Sequence, residues 1–87
     1  VARLEAAVKA RVVVTLKPSV LDPQGQAVTR ALGSLGFDEV KGARLGKIIE
    51  LELDATDAVA ARKRVEQMCE KLLANTVIEE YRVEAVG

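Results

Sequence analysis

Hydrophobic and polar positions change period along the chain, and each change marks an element. From Val8 to Lys17 the period is two. Val8, Ala10, Val12, Val14 and Leu16 share one parity; Lys9, Arg11, Thr15 and Lys17 share the other, with Val13 the exception. Alternation rich in β-branched residues predicts a strand buried on one face. Pro18 ends it, because proline has no amide to give to a ladder. Residues 21–25 (LDPQG) read as a helix entry. Asp22 is placed to accept from free first-turn amides, and Pro23 sits where its missing N–H is harmless. Val28, Ala31, Leu32 and Leu35 follow at helical spacing as one apolar stripe. Gly36 suits a left-handed cap, with Phe37 as the returning hydrophobic contact. Gly33 is a weak point inside the helix, costing about 1 kcal/mol against alanine.

The period returns to two where Ile49, Leu51 and Leu53 alternate with Glu50 and Glu52. Gly42 and Gly46 interrupt the stretch before it. Either Glu39–Leu45 and Lys47–Asp54 form a hairpin, or they are one long strand bent at a glycine bulge; the pattern leaves both open. A second helix begins after Asp54, capped by Thr56 or Asp57. Ala58, Ala61, Val65, Met68, Cys69 and Leu72 form its apolar face, and Arg62, Lys63, Glu66 and Glu70 face out. Asn75 is a plausible left-handed stop. Val77–Val86 reads as the last strand.

The order β-α-β(β)-α-β predicts an α+β fold: a two-layer sandwich of an antiparallel sheet and two helices, ferredoxin-like or related. Charge adds an arrangement. The outer face of the first strand is basic (Lys9, Arg11, Lys17), whereas the Glu50/Glu52 and Glu80/Glu84 strands are acidic. Opposite charges across a strand pair help by about 0.2–1 kcal/mol and like charges hurt, so the first strand is expected between the other two. The open face, carrying Val13, Ile48, Ile78 and Val86 among its charges, predicts an oligomer-forming surface. Residues 1–7 are expected to be a flexible leader, and 8–87 a single domain.

Composition narrows the function. The chain has 87 residues, 13 basic and 13 acidic, no His, one Cys, and two aromatics, Phe37 and Tyr81. A core this small is thin and is often completed by a disulfide, a metal or a partner. One cysteine excludes an internal disulfide, and without His it nearly excludes a zinc or iron–sulfur site. Ser-His-Asp and Cys-His chemistry cannot be built. Zero net charge and two aromatics disfavour nucleic acid, and no apolar run approaches the roughly 20 residues of a membrane span. An unpaired thiol and no resemblance to a signal peptide point to the cytoplasm.

Candidate chemical groups have plainer explanations. Cys69 lies on an apolar helix face beside Met68, away from a helix N-terminus, and reads as a core thiol. Lys17 reads as a solvated strand end. Glu79 and Glu80 point to opposite sides of a strand and cannot work as an acid–base pair. Gly42–Gly46 lacks phosphate-loop spacing and a following helix, so it reads as a turn or bulge, with Arg44 and Lys47 free to meet a partner or an anion.

Three stretches carry a resemblance. Residues 12–25 (VVVTLKPSVLDPQG), 40–53 (VKGARLGKIIELEL) and 68–81 (MCEKLLANTVIEEY) are similar to the small PurS subunit of phosphoribosylformylglycinamidine synthase, over about Val8 to Val86. The resemblance implies a non-catalytic subunit without cofactor or metal that self-associates as a dimer or tetramer. It would bridge a synthetase (PurL) and a glutaminase (PurQ) and support ammonia transfer. The complex converts formylglycinamide ribonucleotide, ATP and glutamine to formylglycinamidine ribonucleotide, ADP, phosphate and glutamate in de novo purine synthesis. Exposed positions within the matching stretches are the candidate partner interface: Lys17, Ser19, Asp22, Gln24, Arg44, Lys47, Asn75, Glu79, Glu80 and Tyr81. For Asp22 and Asn75, helix capping competes with that role. The alternative function is a small-molecule-sensing regulatory domain on the same scaffold, since a fold alone does not choose between them.

Overall fold

A computed structural model describes residues 7–54 and 56–87. The leader expected over residues 1–7 lies outside the described residues except for Ala7, where the first strand begins. The elements are β1 (Ala7–Leu16), α1 (Pro23–Ser34), β2 (Gly46–Asp54), α2 (Ala58–Met68), a π-helical turn (Cys69–Leu73) and β3 (Glu79–Val86). The strands form one antiparallel sheet in the order β2-β1-β3. The α+β class holds, with the basic strand in the centre as its charge requires. Arg11 reaches Glu50 across β2 at 3.2 Å and Glu84 across β3 at 4.0 Å. These pairs are exposed, so each stabilises by at most about 1 kcal/mol.

The even residues of β1 make the core. Val8, Ala10, Val12 and Val14 are buried, and Ala61, Val65, Cys69 and Ala74 close over them. Ile49, Leu51 and Leu53 of β2 and Tyr81 and Val83 of β3 extend the same face. A bulge between Arg11 and Val12 shifts the β3 register. Val86 therefore packs against the core instead of lying on the open face, as its parity had suggested.

Four local expectations are corrected. Residues 39–45 form neither half of a hairpin nor part of a bent strand; they are irregular, and β2 starts at Gly46. Gly46 pairs with Thr15 so closely that a Cβ there would lie 2.7 Å from the Val14 carbonyl oxygen and from Thr15 Cγ2. The second helix changes pitch at Cys69, where the Ala74 amide donates to the Cys69 carbonyl at 3.1 Å. That wider turn carries Leu72 out to 83% exposure and brings Leu73 and Ala74 in. Asn75 ends the helix without a left-handed backbone, since no described non-glycine residue has positive φ. Its Oδ1 accepts from the Val77 amide instead, closing an Asx turn. Val77 and Ile78 belong to that turn, so β3 begins at Glu79.

The largest departure concerns α1. Its ends are as the sequence dictates. Asp22 caps the start, and Gly36 (φ +97°) closes a Schellman motif in which the Phe37 amide donates to Leu32 and the Gly36 amide to Gly33. The stripe itself is not buried: Val28 is 37% and Leu35 73% exposed, and Gly25 is the one buried residue of the helix. α2 packs on β1 and β3, whereas α1 makes no substantial contact with any strand or with α2. The molecule is correspondingly long, 49 × 28 × 20 Å, with a radius of gyration of 16.8 Å against about 12 Å for a compact domain of this length.

Candidate functional site

Most of the candidate residues meet at one end of the sheet, where β1 leaves and β2 and β3 begin. Asp22 and Arg44 hold this end together. Asp22 is 5% exposed. Its Oδ1 accepts from the Gly25 amide and its Oδ2 from the Leu45 amide, both at 2.9 Å. One carboxylate thus caps α1 and fixes the segment entering β2. The Leu45 amide foremost, and the Gly25 amide after it, hold the Asp22 carboxyl below its usual value of 3.8; burial opposes them, and the Arg44 charge adds to them.

Arg44 answers from the other side. Its guanidinium donates to the carbonyls of Val20 (3.2 Å), Leu16 (3.2 Å) and Lys17 (2.8 Å). It closes the β1–α1 turn, adding to the Val20 amide that also donates to the Lys17 carbonyl, at 2.9 Å. Gly25 lies directly against the Ala43 carbonyl, leaving no room for a Cβ. The turn, the first turn of α1 and residues 43–45 are therefore one unit.

The β3 side is tied in as well. The Lys17 amide donates to Ile78 (2.9 Å), and Asn75 and Glu79 exchange bonds: Asn75 N–H to Glu79 Oε1 and Glu79 N–H to the Asn75 carbonyl, both 2.7 Å. Lys47 faces Val14 on the core side of β2. Asp22, Gln24, Lys47 and Glu79 line a groove of about 270 Å³ with Thr15 and Leu45. Ser19, Asp22 and Arg44 line a second groove of about 320 Å³ beside Pro18 and Gln26. Glu80 stands on the opposite sheet face, across from Thr15. Glu79 and Glu80 are thus separated, as strand geometry requires.

Tyr81 is apart from this cluster, half-buried on the core face opposite Val14. A hydrogen bond with Glu70 pushes its phenol up to about 12, and burial acts in the same direction. Cys69 is fully buried; burial raises its thiol pKa, helped by the charges of Glu70 and Glu66. Among the described residues no three His, Cys, Asp or Glu converge to hold a metal, and no described helix is long and apolar enough to cross a membrane.

Two features leave no mark on the periodicity. Gly25 appeared only as part of a helix entry, although glycine in a first turn, where most residues serve better, signals a close backbone approach. The exposure of the α1 stripe is the other, because periodicity shows that a face is apolar and not which surface covers it.

The sheet end is thus a hydrogen-bonded cluster of mixed charge. Residues 9–87 match the family profile described as "PurS: Phosphoribosylformylglycinamidine (FGAM) synthase". The PurS subunit of Bacillus subtilis is 54% identical over 76 residues, 87% of this chain and 89% of its own length. A solved structure of B. subtilis PurS superposes with a TM-score of 0.80 at 52% identity, covering 92% of this chain and 98% of that one. A chain from the PurLQS structure of Thermotoga maritima superposes with a TM-score of 0.79 at 37% identity, covering 88% and 95%. The chain belongs to the PurS family of phosphoribosylformylglycinamidine synthase subunits.

Proposed function

We propose that this chain is an assembly subunit that docks the PurL synthetase to the PurQ glutaminase, associates with itself, and takes no chemical part in the reaction. The observation that carries this is the likeness, over nearly its whole length, to a chain of a PurLQS structure. A physical requirement gives such a subunit its use. Ammonia released from glutamine is protonated in neutral water and lost as a nucleophile, so the two active sites must be docked with water kept out between them. A small protein that fixes that geometry raises the flux without a reactive group of its own.

The partner contacts are assigned to the sheet end: Lys17, Ser19, Gln24, Arg44, Lys47, Asn75 and Glu79, with Glu80 and Tyr81 flanking. Asp22 shapes this surface from beneath. The proposed compartment is the cytoplasm, where the nucleotide and glutamine substrates are. The sensing alternative is not favoured, because the relatives are synthase subunits. The test is assembly on a sizing column. PurL and PurQ from one organism should co-elute when this chain is added and run apart without it. Co-elution that is independent of the chain, or a chain that never enters the complex, overturns the proposal.

A further inference from the structure

We infer that the groove between α1 and residues 41–43 binds a phosphate monoester of a small polyol, that is, a sugar phosphate. The groove holds about 470 Å³ and is lined by Gln26, Thr29, Arg30, Lys41, Gly42 and Ala43. That volume falls within the roughly 300–1,000 Å³ of small-ligand sites. Gln26, Thr29 and Arg30 stand at i, i+3 and i+4 on one side of α1, away from the stripe of Val28, Leu32 and Leu35, so covering the stripe leaves the groove open. Two cations line the groove and no acid does. Among the described residues neither has a carboxylate partner: the Lys41 ammonium donates to the Asp38 carbonyl at 3.2 Å, and Arg30 enters no ion pair, whereas Arg11 and Arg82 are each answered by a glutamate. The Gly42 and Ala43 amides likewise donate to no group among the described residues. Gly42 has open space where a Cβ would stand, so a ligand can come up to the backbone there.

Unspent donors beside two cations select a dianion. The Arg30 fork matches two phosphate oxygens, and the Lys41 ammonium adds a point charge. A second feature selects hydroxyls. Thr29 Oγ1 gives its proton to the Gly25 carbonyl at 2.9 Å, so it meets a ligand as an acceptor, and the Gln26 carboxamide both gives and accepts. Neither Phe37 nor Tyr81 lines the groove, so no ring is there to stack a nucleobase. A sugar phosphate meets these terms, with its phosphate on the cations and its hydroxyls on Thr29 and Gln26. Binding here requires neither PurL nor PurQ, so the isolated chain tests it.

Amide NMR of the full chain, titrated with glucose 6-phosphate, reads the site residue by residue. Saturable shifts should centre on residues 26–30 and 41–43 with a dissociation constant of roughly 1 mM, and glucose at the same concentrations should give none. Arg30→Gln and Lys41→Gln should each weaken binding by roughly threefold to fivefold, and the two together should abolish it. Lys63→Gln, which removes one charge from the exposed side of α2, should leave it unchanged. All three side chains are exposed, and unshifted resonances elsewhere would show that the variants keep the fold. Inorganic phosphate should bind several-fold more weakly than the ester; equal binding would overturn the sugar-phosphate assignment. Shifts that do not saturate, that spread over the basic residues of β1, or that survive the double substitution overturn the site. A chain that answers a poly-glutamate peptide and not phosphate esters also overturns it, and makes the groove a contact for an acidic protein segment.

Discussion

The two glycines of α1 should respond in opposite ways to the same substitution. Replacing glycine by alanine at a site of ordinary backbone conformation stabilises by about 0.4–1 kcal/mol, mainly by restricting the unfolded chain. Gly33 has nothing within 4 Å of the position a Cβ would take, so Gly33→Ala should realise that gain. Gly25 differs. Its new Cβ would collide with the Ala43 carbonyl and come within 2.9 Å of Asp22 Oδ2. Neither neighbour can yield cheaply: one is backbone, and the other is fixed by two amide bonds. Overpacking of this kind costs about 1–3 kcal/mol. The net result for Gly25→Ala is a loss of roughly 1–2 kcal/mol. For a chain of this size, that lowers Tm by roughly 5–15 °C, whereas Gly33→Ala should raise it by roughly 2–8 °C. Thermal unfolding followed by circular dichroism, at one fixed protein concentration because oligomerisation couples to Tm, measures both. Gly25→Ala unfolding at or above the temperature of Gly33→Ala would refute the close approach of Gly25 to Ala43.

Three further outcomes follow from titration and reactivity. The folded Asp22 carboxyl titrates below its unfolded value of 3.8, so its contribution is present above that pH and lost as pH falls through the lower folded value; Asp22→Asn should flatten this acid limb in stability-versus-pH curves, and an unchanged limb would contradict the bonding. Tyr81 is the single tyrosine in a chain without tryptophan. Its phenolate absorbance should appear near pH 12 in the folded protein and near 10.0 after unfolding in urea, so its contribution is lost as pH rises from 10 toward 12; a folded midpoint at 10 would remove the Glu70 bond. The Cys69 thiol should resist an aromatic disulfide reagent until denaturant is added, and rapid native labelling would contradict its burial.

How much was legible in the sequence depended on whether the signal was local. The β1 alternation, the Asp22–Pro23 entry and the Gly36 cap are decided within a few residues, and all three stand where periodicity and capping chemistry put them. The strand order was legible because Arg11 carries a charge that Glu50 and Glu84 can both answer. Residues 39–45 were not legible. Their alternation is too short to prefer a strand once Arg44 spends its donors on the β1–α1 turn. The π-helical turn was hidden because a single wider turn leaves no mark on a 3.6-residue pattern, yet it exchanges Leu72 for Leu73. The place of α1 was hidden for a deeper reason: its fixed position comes from contacts of Asp22, Gly25 and Arg44 across some twenty residues of chain. The sheet-end cluster was legible only through the resemblance, since its members are ordinary polar residues brought together by the fold.

The central claim is that this chain acts by holding two other proteins together. The most direct measurement compares the nitrogen sources used by a reconstituted synthase, with purified PurL and PurQ assayed with and without this chain. Turnover on added ammonium salt should be independent of the chain, and turnover on glutamine should appear only with it. Glutamine-dependent turnover at the same rate in its absence, or ammonium-dependent turnover that collapses without it, would contradict a purely assembling role.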